Sequence, residues 1–195
     1  MQQEDSARNC WAPEITYDEK KKRYMIYWAT TIAGKYKMDT IVENGYNHRL
    51  YYVTTKDFKN FSKTKLLYDK GFNVIDATIV PDGKRYIMFL KDETRLPPQK
   101  NIRIATGKKL TKGFSKPSAP ITGNYWAEGP TTVKIGNNWL VYFDKYRDHK
   151  YGAVQSPDLI NWTDVSDKIS LPMGIRHGSI FMISKEEFDQ LKLFY

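Results

Sequence analysis

A chain of 195 residues that is 41% hydrophobic and 27% charged has enough apolar content for one substantial core, and its length suits a single domain. The formal net charge of +9 is spread along the chain and concentrates only at Lys20-Lys21-Lys22-Arg23, in a predicted turn, so it makes a solvated loop and not a nucleic-acid patch. Cys10 is the sole cysteine, which excludes an intrachain disulfide and a cysteine-rich metal site; His48, His149 and His177 are too far apart for a paired-histidine zinc motif.

No apolar run reaches the length of a membrane span, and the opening residues MQQEDSARN are too polar for a secretory signal. Aromatics reach 14%, with 14 Tyr and 5 Trp. That excess suits stacked sheets, carbohydrate platforms and nucleic-acid platforms alike.

In chain order, Trp11 opens a hairpin: Ile15 and Tyr17 on one strand, a charged turn, then residues 23–28 as a buried aromatic strand. Residues 31–47 read as a long loop, 49–55 as a third strand and 65–68 as a short fourth. The pattern restarts at 74–80, turns at Pro81-Asp82-Gly83 and returns through 85–90. After Leu96-Pro97-Pro98 come a strand at 102–106 and a turn through Leu110 to Phe114. A third copy begins at Glu128, turns at Gly136-Asn137-Asn138 and returns through 139–143, followed by 151–155 and a turn ending at Trp162. A fourth begins at Arg176 and runs to Ile183. Ser184-Lys185-Glu186-Glu187 then caps one short helix, with Phe188 and Leu191 expected inward.

The copies share a register. Tyr24, Tyr86 and Trp139 take equivalent places on the second strands, and Phe61, Phe114 and Trp162 on the turns. Asp57 with Phe61 and Asp158 with Trp162 repeat one spacing. Four strands per unit at a period of roughly 50 residues predicts a β-propeller, with blades near 11–70, 74–122, 125–170 and a partial one at 176–195. A β-sandwich is the alternative, but it does not call for recurring turn aromatics. The Asp57 and Asp158 turns are structural on either reading.

First strands of propeller blades line a central channel. Their starts are Trp11-Ala12-Pro13, Asp76, Glu128 and Arg176-His177, so an aromatic wall, two carboxylates, an arginine and a histidine are expected in one axial pocket, Asp76 at the blade position equivalent to Glu128. A carboxyl buried among apolar groups has a raised pKa and can act as a general acid near neutrality; Glu128, between Trp126 and Gly129-Pro130, is the candidate. Bland alternatives stay open: a solvated strand-end charge for Glu128, a backbone-bonding structural aspartate for Asp76, and a satisfied core histidine for His177.

Trp11-Ala12-Pro13-Glu14, Ile75-Asp76-Ala77-Thr78-Ile79, Glu128-Gly129-Pro130-Thr131 and Arg176-His177-Gly178-Ser179 together resemble successive blade motifs of glycoside hydrolase family 43, over essentially the whole chain. The resemblance implies a five-bladed propeller acting on arabinose- or xylose-containing polysaccharides with inversion, without nucleic-acid or membrane partners; it suits a secreted or periplasmic protein, while the residues alone leave a cytosolic one equally open. It implies that Glu128 is the general acid, that Asp76 orients it and raises its pKa, that Trp11, Trp126, Arg176 and His177 bind sugar, and that a calcium ion lies near His177 in the channel.

One element of the resemblance is missing. The family's general base is an aspartate of the first blade followed by proline, and this chain has no Asp-Pro pair. Asp5 stands upstream of Trp11 in no strand-like context, and Asp158 sits in a turn. The expectation is therefore four of five blades, with the base outside this chain, little unassisted hydrolysis, and open sheet edges that favour self-association. A carbohydrate-binding propeller without turnover, and a basic interaction or RNA-binding scaffold, are the competing functions.

Overall fold

A computed structural model describes residues 6–36, 45–172 and 174–194. The chain is all-β apart from a short C-terminal helix. β1 (Trp11–Asp18), β2 (Arg23–Thr30), β3 (Arg49–Thr55) and β4 (Lys65–Tyr68) form one antiparallel meander. β5 (Val74–Asp82), β6 (Arg85–Asp92) and β7 (Asn101–Gly107) form a second, and β8 (Glu128–Ile135), β9 (Asn138–Lys145), β10 (Lys150–Ser156) and β11 (Thr163–Asp164) a third. The first strands of the three sheets adjoin, β1 beside β5 and β5 beside β8, as in a β-propeller with the first strands at its axis.

Strand alternation explains why the sheets stack. Along β6, Tyr86, Met88 and Leu90 point to the first sheet and join Met25, Tyr27, Leu50 and Tyr68. Ile87 and Phe89 point the other way and join Trp139, Val141 and Phe143 of β9. A central sheet buried on both faces must read as a continuous apolar run, as IMFL does. Each fully buried side chain of this size contributes about 1.5–3 kcal/mol of transfer free energy. The turn aromatics complete the interfaces: Phe114 belongs to the cluster between the first and second sheets, and Trp162 packs against that between the second and third. Phe61, at the equivalent place on the outer face of the first sheet, is more exposed.

The repeated aspartate turns are structural. Asp57 Oδ1 accepts from the backbone N–H of Lys59 and Asn60, and Asp158 Oδ1 from those of Ile160 and Asn161. These bonds, from Asn60 and Asn161 first, hold both carboxyls well below the usual range.

Three details differ from the sequence-based expectation. The second sheet has three strands, because its fourth place is taken by a segment containing Pro117 and Pro120, which lack the N–H groups a ladder needs. That segment still bonds to β7 through the N–H groups of Ser115, Ser118 and Ile121. Residues 176–183, the expected opening of a fourth blade, form no strand; Ile180 N–H bonds to Thr131 Oγ1 of β8, and Ser179 Oγ meets Glu14 of β1. The helix α1 (Lys185–Leu191) has its capping box between Ser184 and Glu187, but Phe188 and Leu191 are about half exposed, since no sheet among the described residues covers that face.

The first two sheets are joined by a closed polar circuit. The buried Tyr27 hydroxyl accepts from Ile79 N–H at 2.9 Å and pairs with Thr16 Oγ1 at 3.3 Å, and Thr16 Oγ1 donates to Ile79 O at 3.0 Å. Tyr27→Phe leaves the Ile79 N–H buried without its partner. It should lower unfolding stability by about 1–3 kcal/mol in urea denaturation, with little change in the slope of the transition.

Candidate active site

Each first strand begins with the same irregularity. Register breaks between Trp11 and Glu14, between Ile75 and Thr78, and between Glu128 and Thr131, so that two residues oppose one on the neighbouring strand. The first residue of each inserted pair is left-handed: Ala12 (φ 45°), Asp76 (φ 49°) and Gly129 (φ 58°). His177 (φ 39°) holds the corresponding place in the fourth motif without a strand around it. A β-bulge of this kind re-aims the side chains on either side of it. Asp76 is therefore equivalent to Gly129, and Glu128 to Ile75. This corrects the expected equivalence of Asp76 with Glu128, which took both to stand at the same place in the start of a first strand.

Gly129 is where a side chain is least tolerable. Its φ is positive, and a methyl group on its Cα would lie 2.9 Å from the His177 ring. The bare Cα lets His177 lie over the strand, and the Gly129 N–H donates to Asp76 Oδ2 at 3.1 Å.

The bulges bring Asp76, Glu128 and His177 together, with one polar atom of each within 4.8 Å of the others. They open on two adjoining cavities. One, of about 400 Å³, is lined by Trp11, Ile75, Asp76, Lys91, Glu93, Glu128 and His177 among others. The other, of about 280 Å³, runs past Glu14, Asp76, Gly129, Pro130 and Ser179.

Glu128 is surrounded by cations. Lys91 Nζ donates to Oε2 at 2.8 Å, Arg176 Nη2 to Oε1 at 2.8 Å, and His177 Nε2 lies 3.3 Å from Oε1. Burial pushes the Glu128 carboxyl up, but the His177 hydrogen bond and the Lys91 charge outweigh it and hold it down to about 2. The expected acid with a raised pKa is thus an ionised carboxylate in the free protein, because Lys91, Arg176 and the hydrogen-bonding imidazole of His177 surround it where the sequence alone suggested an apolar wall. Asp76 is shifted the opposite way: burial raises it, and the Lys91 and His177 charges offset this only in part. His177 is raised, chiefly by its bond to Glu128. Asp144 of β9, opposite Glu128, holds Arg176 through a short ion pair.

Trp11 is 42% exposed at the cavity, its ring packed on Tyr46 and His48. Arg176 reaches the site through Glu128. Trp126 does not line either cavity; its ring packs against Tyr146 and under Arg147, beyond Lys100. Asp5 lies outside the described residues. Lys91, Glu93 and Asp144 were missed. Lys91 and Asp144 hold the same register after the aligned Tyr86 and Trp139, and a charge at that place in two copies was the available signal.

The contacts of Asp76, Glu128 and His177 do not suit direct coordination of calcium by all three side chains, as distinct from a calcium held near His177 through water. Calcium takes about 6–8 oxygen ligands. Here Lys91 and Arg176 hold both oxygens of Glu128, Gly129 holds one of Asp76, and the third donor is an imidazole nitrogen.

A family model described as "Probable glycosyl hydrolase domain" matches residues 1–189. An α-L-arabinofuranosidase of Bifidobacterium longum is 26% identical over 151 residues, covering 66% of this chain and 14% of that protein. Among solved structures, an α-L-arabinofuranosidase from Lactobacillus brevis superposes with a TM-score of 0.61 at 19% identity, covering 83% of this chain and 56% of that one. The β-xylosidase RS223 superposes at 0.60 and 11% identity, covering 78% and 57%. The chain thus spans a small part of the curated relative and little more than half of these structures, whose likeness establishes the fold.

The two carboxylates should affect stability with opposite signs. Glu128 titrates lower folded (about 2) than unfolded (about 4.3), so its stabilisation is present above the unfolded value and is lost as pH falls toward 2. With solvent screening at this partly exposed group allowed for, Glu128→Gln should cost on the order of 1–2 kcal/mol at pH 7, the gap to wild type closing between about pH 5 and 2. Asp76 is raised in the folded state, so its contribution is full below about pH 3.9 and is lost as pH rises through the folded value. Asp76→Asn should therefore match or exceed wild type at neutral pH. Urea titrations across pH check both signs.

Proposed function

Since this chain belongs to the glycosyl hydrolase 43-related family of probable glycosyl hydrolase domains, we propose that it carries the acid side of a glycoside hydrolase site acting on arabinose- or xylose-containing oligosaccharides or polysaccharides. The observation that carries this reading is the convergence of Asp76, Glu128 and His177 from separate motifs on a cavity edged by an exposed tryptophan. The names of the relatives, arabinofuranosidases and a xylosidase, support a pentose substrate.

In this reading the sugar stacks on Trp11, and Glu128 Oε1 protonates the leaving glycosidic oxygen. Oε1 is the oxygen shared with the exposed Arg176 and His177, which a bound sugar can displace. Losing the His177 hydrogen bond together with Arg176 and water raises the carboxyl toward a value at which it can hold a proton. Asp76, buried beside it, adds like-charge repulsion in the same direction and orients the strand through Gly129.

The carboxylates described around the cavities are all engaged: Asp76 by Gly129, Glu93 by Lys91 and Lys100, Asp144 by Arg176, and Glu14 by Ser179. Inversion needs a carboxylate about 6.5–9.5 Å from the acid with room for water. We assign that role to none of them.

A second reading, sugar binding without turnover, is favoured by one observation, the multiple cationic contacts on Glu128. Turnover separates the two. The expected result is weak hydrolysis of nitrophenyl α-L-arabinofuranoside and β-D-xyloside, raised about 10²-fold or more by azide. Glu128→Gln should remove about 10²–10⁴-fold of that rate on unactivated linkages, and much less on the nitrophenyl glycosides. Binding of arabino- or xylo-oligosaccharides with no turnover, with or without azide, would favour the second reading.

A further inference from the structure

Charged groups reach Glu128 from every neighbouring element: Lys91 of β6, Asp76 of β5, Asp144 of β9, and Arg176 and His177 of the C-terminal segment. They differ in permanence. The Arg176 and His177 side chains are 58% and 44% exposed, on a segment without strand pairing. The Lys91 side chain is 2% exposed and fixed in the ladder opposite Ile75.

Lys91 is also shared. Its Nζ lies 2.8 Å from Glu128 Oε2 and 2.6 Å from Glu93 Oε2, 4.8 Å from the Tyr146 ring centre, and within the field of Asp76. Glu93 is in turn held by Lys100 Nζ at 2.5 Å. A buried ammonium cannot leave its carboxylates without becoming an unpaired buried charge, so Lys91 stays when a ligand arrives. The two oxygens of Glu128 are therefore unequal, Oε2 anchored from the interior and Oε1 turned toward replaceable partners.

We propose that Lys91 is a positioning residue for Glu128: it pins Oε2, so that Oε1 is the oxygen that carries the proton to the glycosidic bond, while Glu93 sets how much of the lysine's charge Glu128 receives. This rests on Glu128 being the proton donor. A carboxylate whose one oxygen accepts from a fixed ammonium takes its proton on the other. Lys91 opposes Asp76 electrically, the one favouring the ionised acid and the other its protonated form.

The test pairs two readouts on the whole chain. With glutamate side-chain carboxyls labelled with ¹³C, and the Glu128 signal assigned by its loss in Glu128→Gln, Lys91→Met should move the Glu128 titration up by at least about one pH unit, and Lys91→Arg should restore it. In azide-assisted turnover, Lys91→Met should lower kcat about tenfold or more on unactivated linkages with KM little changed, and Lys91→Arg should recover most of the rate. Should Lys91→Met fail to fold, Glu93→Gln serves, since it gives Lys91 more fully to Glu128 and should keep Glu128 ionised to lower pH than wild type. An unmoved Glu128 titration in Lys91→Met, or an upward move in Glu93→Gln, overturns the role of Lys91 even if hydrolysis is observed. A moved titration with no turnover in any variant overturns the proton-donor reading, and the positioning role with it.

Discussion

The left-handed residue at the head of each blade motif is the constraint on which the site depends. Strict alternation would send a residue at that place to a packed blade interface. The inserted pair at Ala12, Asp76 and Gly129 breaks the alternation just where the strands reach the axis. Non-glycine residues in this backbone region are uncommon and carry strain, yet Ala12, Asp76 and His177 all adopt it. For Ala12 and Asp76 the surrounding sheets supply the packing that holds them there, and the side chains gain a common direction.

Around that geometry the charges alternate. Asp144, Arg176, Glu128, Lys91, Glu93 and Lys100 form a run of opposite signs from the exposed C-terminal segment into the interior. Each buried charge has a partner, which is the condition for keeping it ionised away from water. Asp76 stands to one side with a backbone N–H as its direct partner, and it is the carboxyl whose ionisation burial disfavours. Two carboxyls a few ångströms apart are thereby separated in acidity, the usual arrangement where one site needs groups in different protonation states.

The sheets support this by being paired and buried where the site is. β6 is buried on both faces and brings Lys91 to the axis at its end, and β9 does the same for Asp144. Arg176 and His177 come instead on a segment tied down by single contacts to Thr131 and Glu14. Fixed charges come from paired strands and replaceable ones from an unpaired segment, a division that suits a cavity whose occupant must displace something.

The propeller architecture, the aligned Tyr86 and Trp139, the aspartate turns and the pocket residues Trp11, Asp76, Glu128 and His177 were legible in the amino-acid order. Repetition and period-two burial leave a local imprint wherever a strand is covered on one or both faces. The missing fourth strand of the second sheet could also have been read from Pro117 and Pro120. Only the tertiary structure decided the electrical character of Glu128. Its neighbours in sequence are Ala127 and Gly129, whereas its neighbours in space are Lys91 of β6 and Arg176 and His177 of the C-terminal segment. Electrostatic energy depends on distance through the fold and not along the chain, so a carboxyl beside Trp126 in sequence became an ion-paired carboxylate in place. The same reason places Trp126 outside the cavities and leaves Phe188 and Leu191 exposed: an apolar side chain marks a face for burial, but the element that covers it is chosen only when the sheets assemble.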